Sequence, residues 1–331
     1  MKKNLHITKN AVLKREKNTL VVLHKENEKL IKNVIPVEKL SSVYISGSVT
    51  IKAGALKMLL KLGIPVHYLS SEGEYLGTVW PREYLLAGIV IVRQSQFYLD
   101  SSKRIELAKK FVFGSYQNMV NNLKEYATRS DQIKGSITDM QKLSAGVMNA
   151  KSIGELMAYE GNIREIYYTT WNNFLPKEFS FDKRTRMPPK SMINAMISFG
   201  NSLTYSVCLS EIYRTQLSPV ISFLHEPSER RFSLSLDLAE IFKPVLTDKT
   251  IFYLINKKII DHNHFSAEAG FYLLNERGKK LFVEEFEKRL NQTIETHSGN
   301  KISIQKAIRI EAYKIIKHLL GIKEYQPLVI S

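Results

Sequence analysis

Carboxylates and one histidine are the groups in this sequence best suited to phosphodiester chemistry. Cleavage or transfer of a phosphodiester needs an aligned nucleophile and stabilisation of charge on phosphate oxygens, for which carboxylate-held divalent metals are the usual solution. Glu160 and Arg164 are four residues apart, so a helix would place them on one face, with a carboxylate for a metal and a guanidinium for phosphate. The same spacing also suits a surface ion pair worth only about 0.3–0.5 kcal/mol.

A histidine and a second pair of acids follow later in the chain. His225 stands before Glu226 and Pro227, where the proline ends or turns the local structure and leaves the imidazole near a loop. A lone histidine in such a place is also often structural. Asp237 and Glu240 are three residues apart and can share a helix face, but Asp-x-x-Glu before apolar residues also matches an N-terminal capping box. The two interpretations are not exclusive, because a capping Asp237 can fix the helix start while Glu240 points into a cleft.

A polar, proline-containing segment at residues 176–190 is predicted to be a loop or an extended run, because Pro188 and Pro189 cannot continue a helix, and its part at 184–190 is a basic loop. Fork-shaped guanidinium groups suit phosphate oxygens, so this loop could follow a DNA backbone, although a simple solvated basic loop would look the same. Asn194 could orient a ligand or substrate through its amide. The predicted DNA contacts are Arg164, Arg184, Arg186, Lys190, Asn194 and, less strongly, Lys243.

The composition favours a polyanionic partner. The 331 residues carry 48 Lys and Arg against 32 Asp and Glu, a formal net charge of +16. Nucleic acid is the commonest such partner, and an anionic membrane surface is the rival. A single cysteine, Cys208, excludes an internal disulfide framework. With neither a signal-like apolar segment nor a run long enough to span a bilayer, we expect a soluble, cytoplasmic protein without membrane association.

The elements that must position these residues divide the chain in two. Up to residue 85, short runs rich in Val, Ile and Tyr predict strands at 19–23, 42–45, 66–69 and 75–80, with a hairpin turn at 71–74. One helix, 51–62, interrupts them. Beyond Pro81, apolar residues recur every three or four positions, as at 103–127 and 302–320. We predict an α+β fold, with a small β-rich domain at 1–85 and a larger, mainly helical domain at 86–331.

Five segments with chemical potential occur in one order. They are Glu160-Gly161-x-x-Arg164, Arg184-x-Arg186-x-Pro188-Pro189, Asn194-Ala195-x-x-Ser198-Phe199-Gly200, Phe223-Leu224-His225 and Asp237-Leu238-x-Glu240-x-Phe242-x-Pro244. In this order and at these separations they resemble the CRISPR-associated adaptation integrase family, the first-numbered Cas protein, which inserts new spacers into repeat arrays. The segments at 63–66 and 77–82 also fit, so the resemblance covers most of the chain.

The resemblance implies a β-rich dimerisation domain joined to a helical catalytic domain. By position it implies that Glu160, His225 and Glu240 are metal ligands, with Asp237 as a further acidic site residue. Many relatives have Asp where this chain has Glu240, and the longer side chain could alter the metal geometry. A mixed carboxylate and imidazole set admits Mn²⁺ more readily than Mg²⁺, so we expect Mn²⁺, with Mg²⁺ as the other candidate.

The implied activity is metal-dependent attack of a DNA 3′-hydroxyl on a phosphodiester, with water in its place giving endonuclease activity. The implied partners are prespacer and leader–repeat DNA, a second copy of the chain, and a small ferredoxin-like Cas protein, the second-numbered one. The alternative is a non-catalytic basic scaffold that binds nucleic acid and uses the same acids as caps and ion pairs.

Overall fold

A computed structural model describes residues 3–330, except residues 28, 71–72, 83–86, 230, 269, 296–298 and 300. Strands dominate the chain before Val79 and helices dominate it after Gly88, which confirms the α+β fold. The predicted domain boundary at 85/86 and part of the predicted turn at 71–74 lie outside the described residues. Within them, none of the helices has the length and apolar character that a membrane crossing requires.

The N-terminal region contains two four-stranded sheets and one helix, α1 (Ala53–Lys61). One sheet has the order β1-β5-β7-β8 and the other the order β4-β3-β2-β6. The strands are β1 (Lys3–Ile7), β2 (Ala11–Glu16), β3 (Thr19–Glu26), β4 (Lys29–Pro36), β5 (Leu40–Ile45), β6 (Val49–Ile51), β7 (Val66–Leu69) and β8 (Tyr75–Val79). Leu13, Val43 and Leu59 are among the side chains buried between the sheets and the helix. The predicted helix is confirmed, and Gly63 follows it with a left-handed φ of 69°.

Nine further helices follow in the described residues, with two short hairpins between the later ones. The helices are α2 (Gly88–Leu99), α3 (Ser101–Lys124), α4 (Asp131–Asn149), α5 (Ile153–Thr170), α6 (Met192–Tyr213), α7 (Ser233–Lys243), α8 (Lys249–Asn256), α9 (Glu276–Leu290) and α10 (Ile304–Leu319). The hairpins pair β9 (Phe265–Glu268) with β10 (Phe271–Leu274), and β11 (Thr293–Glu295) with β12 (Lys301–Ser303). The long apolar helix α6 forms the centre, and Cys208 is buried within it as a free thiol.

A buried polar network joins the strand-rich region to the helices. Glu211 on α6 is fully buried and accepts hydrogen bonds from Arg214, Gln305 and Arg309, at 2.9, 2.9 and 2.7 Å. Arg214 also donates to the backbone oxygen of Ser41 on β5 at 2.6 Å. Because a buried carboxylate is stable only when its lone pairs are satisfied, this network fixes how α6 and α10 sit against the sheet.

The C-terminal end of α7 is anchored by asparagines of α3. Pro244 has no N–H, and the backbone continues from it as a π-helical turn, Pro244–Asp248. The amide of Asn118 donates to the carbonyl oxygen of Ile241 at 3.1 Å, and that of Asn122 to the carbonyl oxygen of Pro244 at 2.9 Å. Asn118 also binds the C-terminal segment, through the carbonyl oxygen of Leu328 and the N–H of Ile330. One helix thus holds both α7 and the end of the chain.

Candidate active site

A large cleft in the helical region collects most of the predicted site residues. Its volume is about 1560 Å³, and its walls come from α5, α6, α7, the 176–190 loop and the segment before α7. Among the described residues, seven Lys and Arg side chains line the cleft against five Glu: Arg164, Lys183, Arg184, Arg186, Arg231, Lys243 and Lys279 against Glu74, Glu160, Glu165, Glu226 and Glu240. The cleft is therefore basic overall and acidic at one point.

Two of these carboxylates, Glu160 of α5 and Glu240 of α7, lie close to each other in the cleft. Arg164 donates through Nε to Glu160 Oε1 at 2.6 Å and through Nη2 to Glu240, so one guanidinium bridges two carboxylates from different helices. Lys243, one turn after Glu240, donates to its other oxygen. The predicted ion pair of Glu160 and Arg164 is present, but both side chains are only about 15% exposed and face the cleft. They are not an isolated surface pair.

The two cations keep Glu240 ionised. Burial alone would raise the pKa of its carboxyl, yet Arg164 and Lys243 outweigh that effect and lower the pKa from 4.5 to about 2. A charged carboxylate is thus maintained in a largely buried position at neutral pH. Carboxylates in this state are suited to hold a cation, provided that the guanidinium and ammonium groups now beside Glu240 can turn elsewhere.

Asp237 lies behind His225 and fixes it. Its side chain is fully buried in the interior of α7, which begins at Ser233, so the helix-cap interpretation is wrong. One carboxyl oxygen accepts from the backbone N–H groups of Phe223 and Leu224, at 2.6 and 3.0 Å. The other accepts from the His225 N–H at 2.9 Å and faces its ring Nδ1 at 2.8 Å. With Nδ1 engaged, the ring presents Nε2 to the cleft, 3.9 Å from Glu240 Oε1.

The segment carrying His225 is tied down by residues that no local motif marked. Gln94 of α2 is buried and pairs with the backbone of Ser218 and Ile221 through its amide. Arg104 of α3 donates to the carbonyl oxygen of Phe223 at 2.9 Å and pairs with Glu226 at 2.6 Å. These contacts hold residues 218–226 in place beside α7.

The basic loop divides into structural and cleft-facing side chains. Arg184 donates to Asn194 Oδ1 and Ser198 Oγ at 2.9 and 3.0 Å, and its burial lowers its pKa from 12.5 to about 10. Asn194 is buried, and its amide is engaged by the loop itself, including the carbonyl oxygen of Lys183 at 2.9 Å. This placement does not support a direct DNA contact from Asn194.

Two further basic residues of the predicted set differ in where they point. Arg186 is exposed and lines the cleft. Lys190 is also exposed, but it lies outside the cleft lining. Of the predicted cations, Arg164, Arg184, Arg186 and Lys243 therefore line the cleft.

The donor set is compatible with a divalent metal, although the described residues do not yet form a closed metal site. Among them, no three carboxylate, imidazole or thiol side chains converge closely enough to hold an ion as they stand. The reason is visible at Glu160 and Glu240, whose facing oxygens are occupied by the Arg164 guanidinium. A Nδ1-anchored imidazole beside carboxylates is nevertheless an arrangement typical of metal-ligating histidine. Glu160, His225 and Glu240 therefore suit a divalent metal if the Arg164 guanidinium leaves the two carboxylates.

Comparison with known sequences assigns this architecture to one family. A profile described as "CRISPR associated protein Cas1" matches residues 5–288. The chain belongs to the Cas1 family. It is 45% identical over 329 residues to the CRISPR-associated endonuclease Cas1 of Methanothermobacter thermautotrophicus, covering 99% of this chain and 95% of the relative. It is 43% identical over 330 residues to the CRISPR-associated protein Cas1 1 of Methanobrevibacter ruminantium, covering 99% of both.

A solved Cas1 structure has the same fold. The Cas1 protein of Thermotoga maritima superimposes with a TM-score of 0.84 at 36% identity, and the match covers 98% of this chain and 99% of that one. The predicted family is therefore confirmed over nearly the full chain.

Proposed function

We propose that this Cas1 protein is a metal-dependent DNA integrase and endonuclease that inserts new spacers into CRISPR arrays. The observation that carries the proposal is that Glu160, His225 and Glu240 line one basic cleft, where Arg164 bridges the two carboxylates and His225 Nε2 lies 3.9 Å from Glu240, with Asp237 anchoring the histidine. Relatives at 40–45% identity that are named CRISPR-associated endonuclease Cas1 support the same reaction class.

In the proposed reaction a DNA 3′-hydroxyl attacks a phosphodiester in line. A bond forms between that oxygen and phosphorus, and the bond to the departing 3′-oxygen breaks. Water in place of the hydroxyl gives hydrolysis, the endonuclease activity. Bound Mn²⁺ or Mg²⁺ would supply Lewis-acid stabilisation of charge on the phosphate oxygens. Glu160, Glu240 and His225 Nε2 would hold the ion.

The chain's own cations have a second role in this proposal. Arg164 and Lys243 neutralise Glu240 in the protein alone, and both line the cleft. With Glu240 holding the ion, Arg164 and Lys243 would be released from it and could contact a phosphate in the cleft. Arg186, exposed at the cleft rim, adds a backbone contact. Arg184 and Asn194 hold the loop, and Lys190 contacts DNA outside the cleft.

The same proposal includes the assembly and the compartment. We propose a cytoplasmic homodimer formed through the strand-rich region, joined to a small ferredoxin-like Cas partner on prespacer and leader–repeat DNA. In the described residues β4 pairs only with β3, and its Leu30 and Val34 are 66% and 55% exposed on one face. An edge strand with such a face is suited to contact a second subunit.

Strand transfer with and without metal tests the catalytic proposal. A short duplex with 3′-hydroxyl ends is incubated with a supercoiled plasmid carrying a repeat array, in Mn²⁺ or in a chelator. The parent should join the DNAs only with metal. His225→Ala should abolish joining while DNA affinity stays within severalfold. His262→Ala, at an exposed histidine away from the cleft, is the matched control and should behave like the parent. Equal turnover by His225→Ala and the parent would defeat the assignment.

The scaffold alternative rests on the ion pairs of Glu240, which would serve a non-catalytic protein equally well. A scaffold would keep them when divalent metal is added. Titration with Mn²⁺ separates the two functions, because a scaffold would show neither tight metal binding nor metal-dependent transfer.

A further inference from the structure

In the described part of the chain, neither packing nor backbone conformation requires a glycine at position 161. It lies in the interior of α5, exposed on the cleft wall, directly after Glu160 and three residues before Arg164. A glycine inside a helix is less stable than alanine, because its backbone loses more conformational freedom on folding.

Two usual benefits are missing here. Gly161 is not among the glycines with a left-handed backbone, which are Gly63, Gly73, Gly270, Gly299 and Gly321. Nor does its missing side chain make room for packing, because no described atom beyond the helix's own neighbouring backbone lies within 4 Å of a Cβ built there.

Some other helix glycines of this protein, such as Gly146 and Gly200, allow close packing. At Gly146, a Cβ would lie 2.2 Å from the ring of Tyr159, which packs against α4 in that position. At Gly200, it would lie 2.5 Å from Thr247. The gap beside Gly161 opens instead onto the cleft.

We propose that this gap is filled by substrate: the sugar–phosphate backbone of bound DNA lies in van der Waals contact with α5 at Gly161. A strand in that position lies beside the paired Glu160 and Arg164 side chains, which are one turn apart on the same helix. Gly161 would thus set how deeply the strand enters, and a side chain there would hold its phosphate away from Glu160. The inference rests on the function proposed above.

DNA backbone is the occupant that the surroundings favour. Arg164, Arg186 and Lys243 line the same cleft, and they can meet a polyanion. The cleft is open and large, about 1560 Å³, which suits a polymer passing through it. A sugar–phosphate chain can approach a helix most closely where no side chain projects from it.

The test compares two glycines that differ only in location. Gly135 lies in α4, is exposed, has no described neighbour within 4 Å of a built Cβ, and is absent from the cleft lining. Affinity for a fluorescein-labelled DNA with a single-stranded 3′ end is measured by anisotropy for the parent, Gly161→Ala, Gly161→Leu and Gly135→Ala. Thermal unfolding is followed for each. Both alanine variants should melt higher than the parent, by about 1–3 °C.

The inference expects Gly161→Ala to raise the Kd at least tenfold, Gly161→Leu to raise it further, and Gly135→Ala to leave it unchanged. Strand transfer should fall in the same order. Equal affinity of Gly161→Ala and the parent would overturn the inference while leaving the proposed function in place. Equal weakening by Gly135→Ala, or a lower melting temperature of Gly161→Ala, would also overturn it. A parent that binds no DNA would remove both the inference and the proposed function.

Discussion

Asparagine has almost the same volume as aspartate. At position 237 it would replace one of the two accepting oxygens near His225 with a donating NH₂ group. The carboxylate accepts at four points: the N–H groups of Phe223, Leu224 and His225, and ring Nδ1. An asparagine has one accepting oxygen and one donating nitrogen. If the oxygen stays toward His225, the amide nitrogen faces the N–H groups of Phe223 and Leu224, and two buried donors lose their acceptor.

The magnitude follows from these contacts. Each buried donor left without an acceptor costs roughly 1–3 kcal/mol, so the free energy of unfolding should fall by about 4 kcal/mol. If the amide turns the other way, its N–H₂ faces Nδ1, which must then accept. The imidazole proton moves to Nε2, and the nitrogen that faces the cleft can no longer bind metal. The first orientation therefore lowers stability, and the second removes the nitrogen that would bind metal.

Urea denaturation, strand transfer and ¹⁵N NMR of the histidine rings measure the three effects. Asp139→Asn is the matched control, because Asp139 is 59% exposed and pairs only with Lys142 in the described residues. We expect the control to match the parent. Asp237→Asn should lose stability in either orientation, because at least one buried N–H loses its acceptor, and it should lose transfer activity together with the Nδ1-protonated form of His225 where the amide nitrogen faces the ring. An Asp237→Asn protein with parental stability and transfer would refute the positioning role.

Three further predictions concern buried groups and the cleft rim. Burial raises the pKa of Asp248 from 3.8 to about 7, against the attraction of Arg164. The unfolded carboxyl ionises as the pH rises through 3.8 while the folded one keeps its proton, so stability falls between these values. Asp248→Asn should therefore exceed the parent in free energy of unfolding by on the order of 4 kcal/mol at pH 8 and match it at pH 4 in urea titrations; equality at pH 8 would contradict this. Asn118→Leu leaves three backbone groups unpaired, one of them buried in α7 and two partly buried in the C-terminal segment. It should lower the free energy of unfolding by about 3–5 kcal/mol, measured by chemical denaturation; a loss below about 1 kcal/mol would exclude the anchoring role. Arg186→Ala should reduce the slope of log Kd against log salt for DNA by about 1, and an unchanged slope would remove Arg186 from the DNA path.

Periodicity predicted the large helices closely and some strands poorly. The apolar repeats at 103–127 and 302–320 became α3 and α10 within a few residues, because both bury a continuous face. By contrast, β4 was missed. Six of its eight residues are exposed, so it lacks the alternation of a half-buried strand. The short hairpins β9–β10 and β11–β12 were missed because each contributes only three or four residues.

The motifs pointed to Glu160, His225 and Glu240, and all three line the same cleft. Their role as metal ligands stays a prediction, and the contacts around them could not be predicted from the sequence. Their supports depend on partners more than a hundred residues away, such as Gln94 with Ser218 and Asn118 with Ile241. The spacing of residues within one motif cannot indicate contacts between residues so far apart in the sequence. The cap interpretation of Asp237 failed for a similar reason, because the true start of α7 is set by packing of the preceding segment.

Electron paramagnetic resonance of bound Mn²⁺ tests the central claim most directly, because it detects the ion and its nitrogen ligand without DNA. The parent should bind one Mn²⁺ per chain tightly, with a nitrogen coupling from one imidazole. His225→Ala should lose that coupling, Glu160→Gln and Glu240→Gln should each weaken binding, and His262→Ala should change nothing. Parental Mn²⁺ affinity and nitrogen coupling in His225→Ala would contradict a metal site at these three residues.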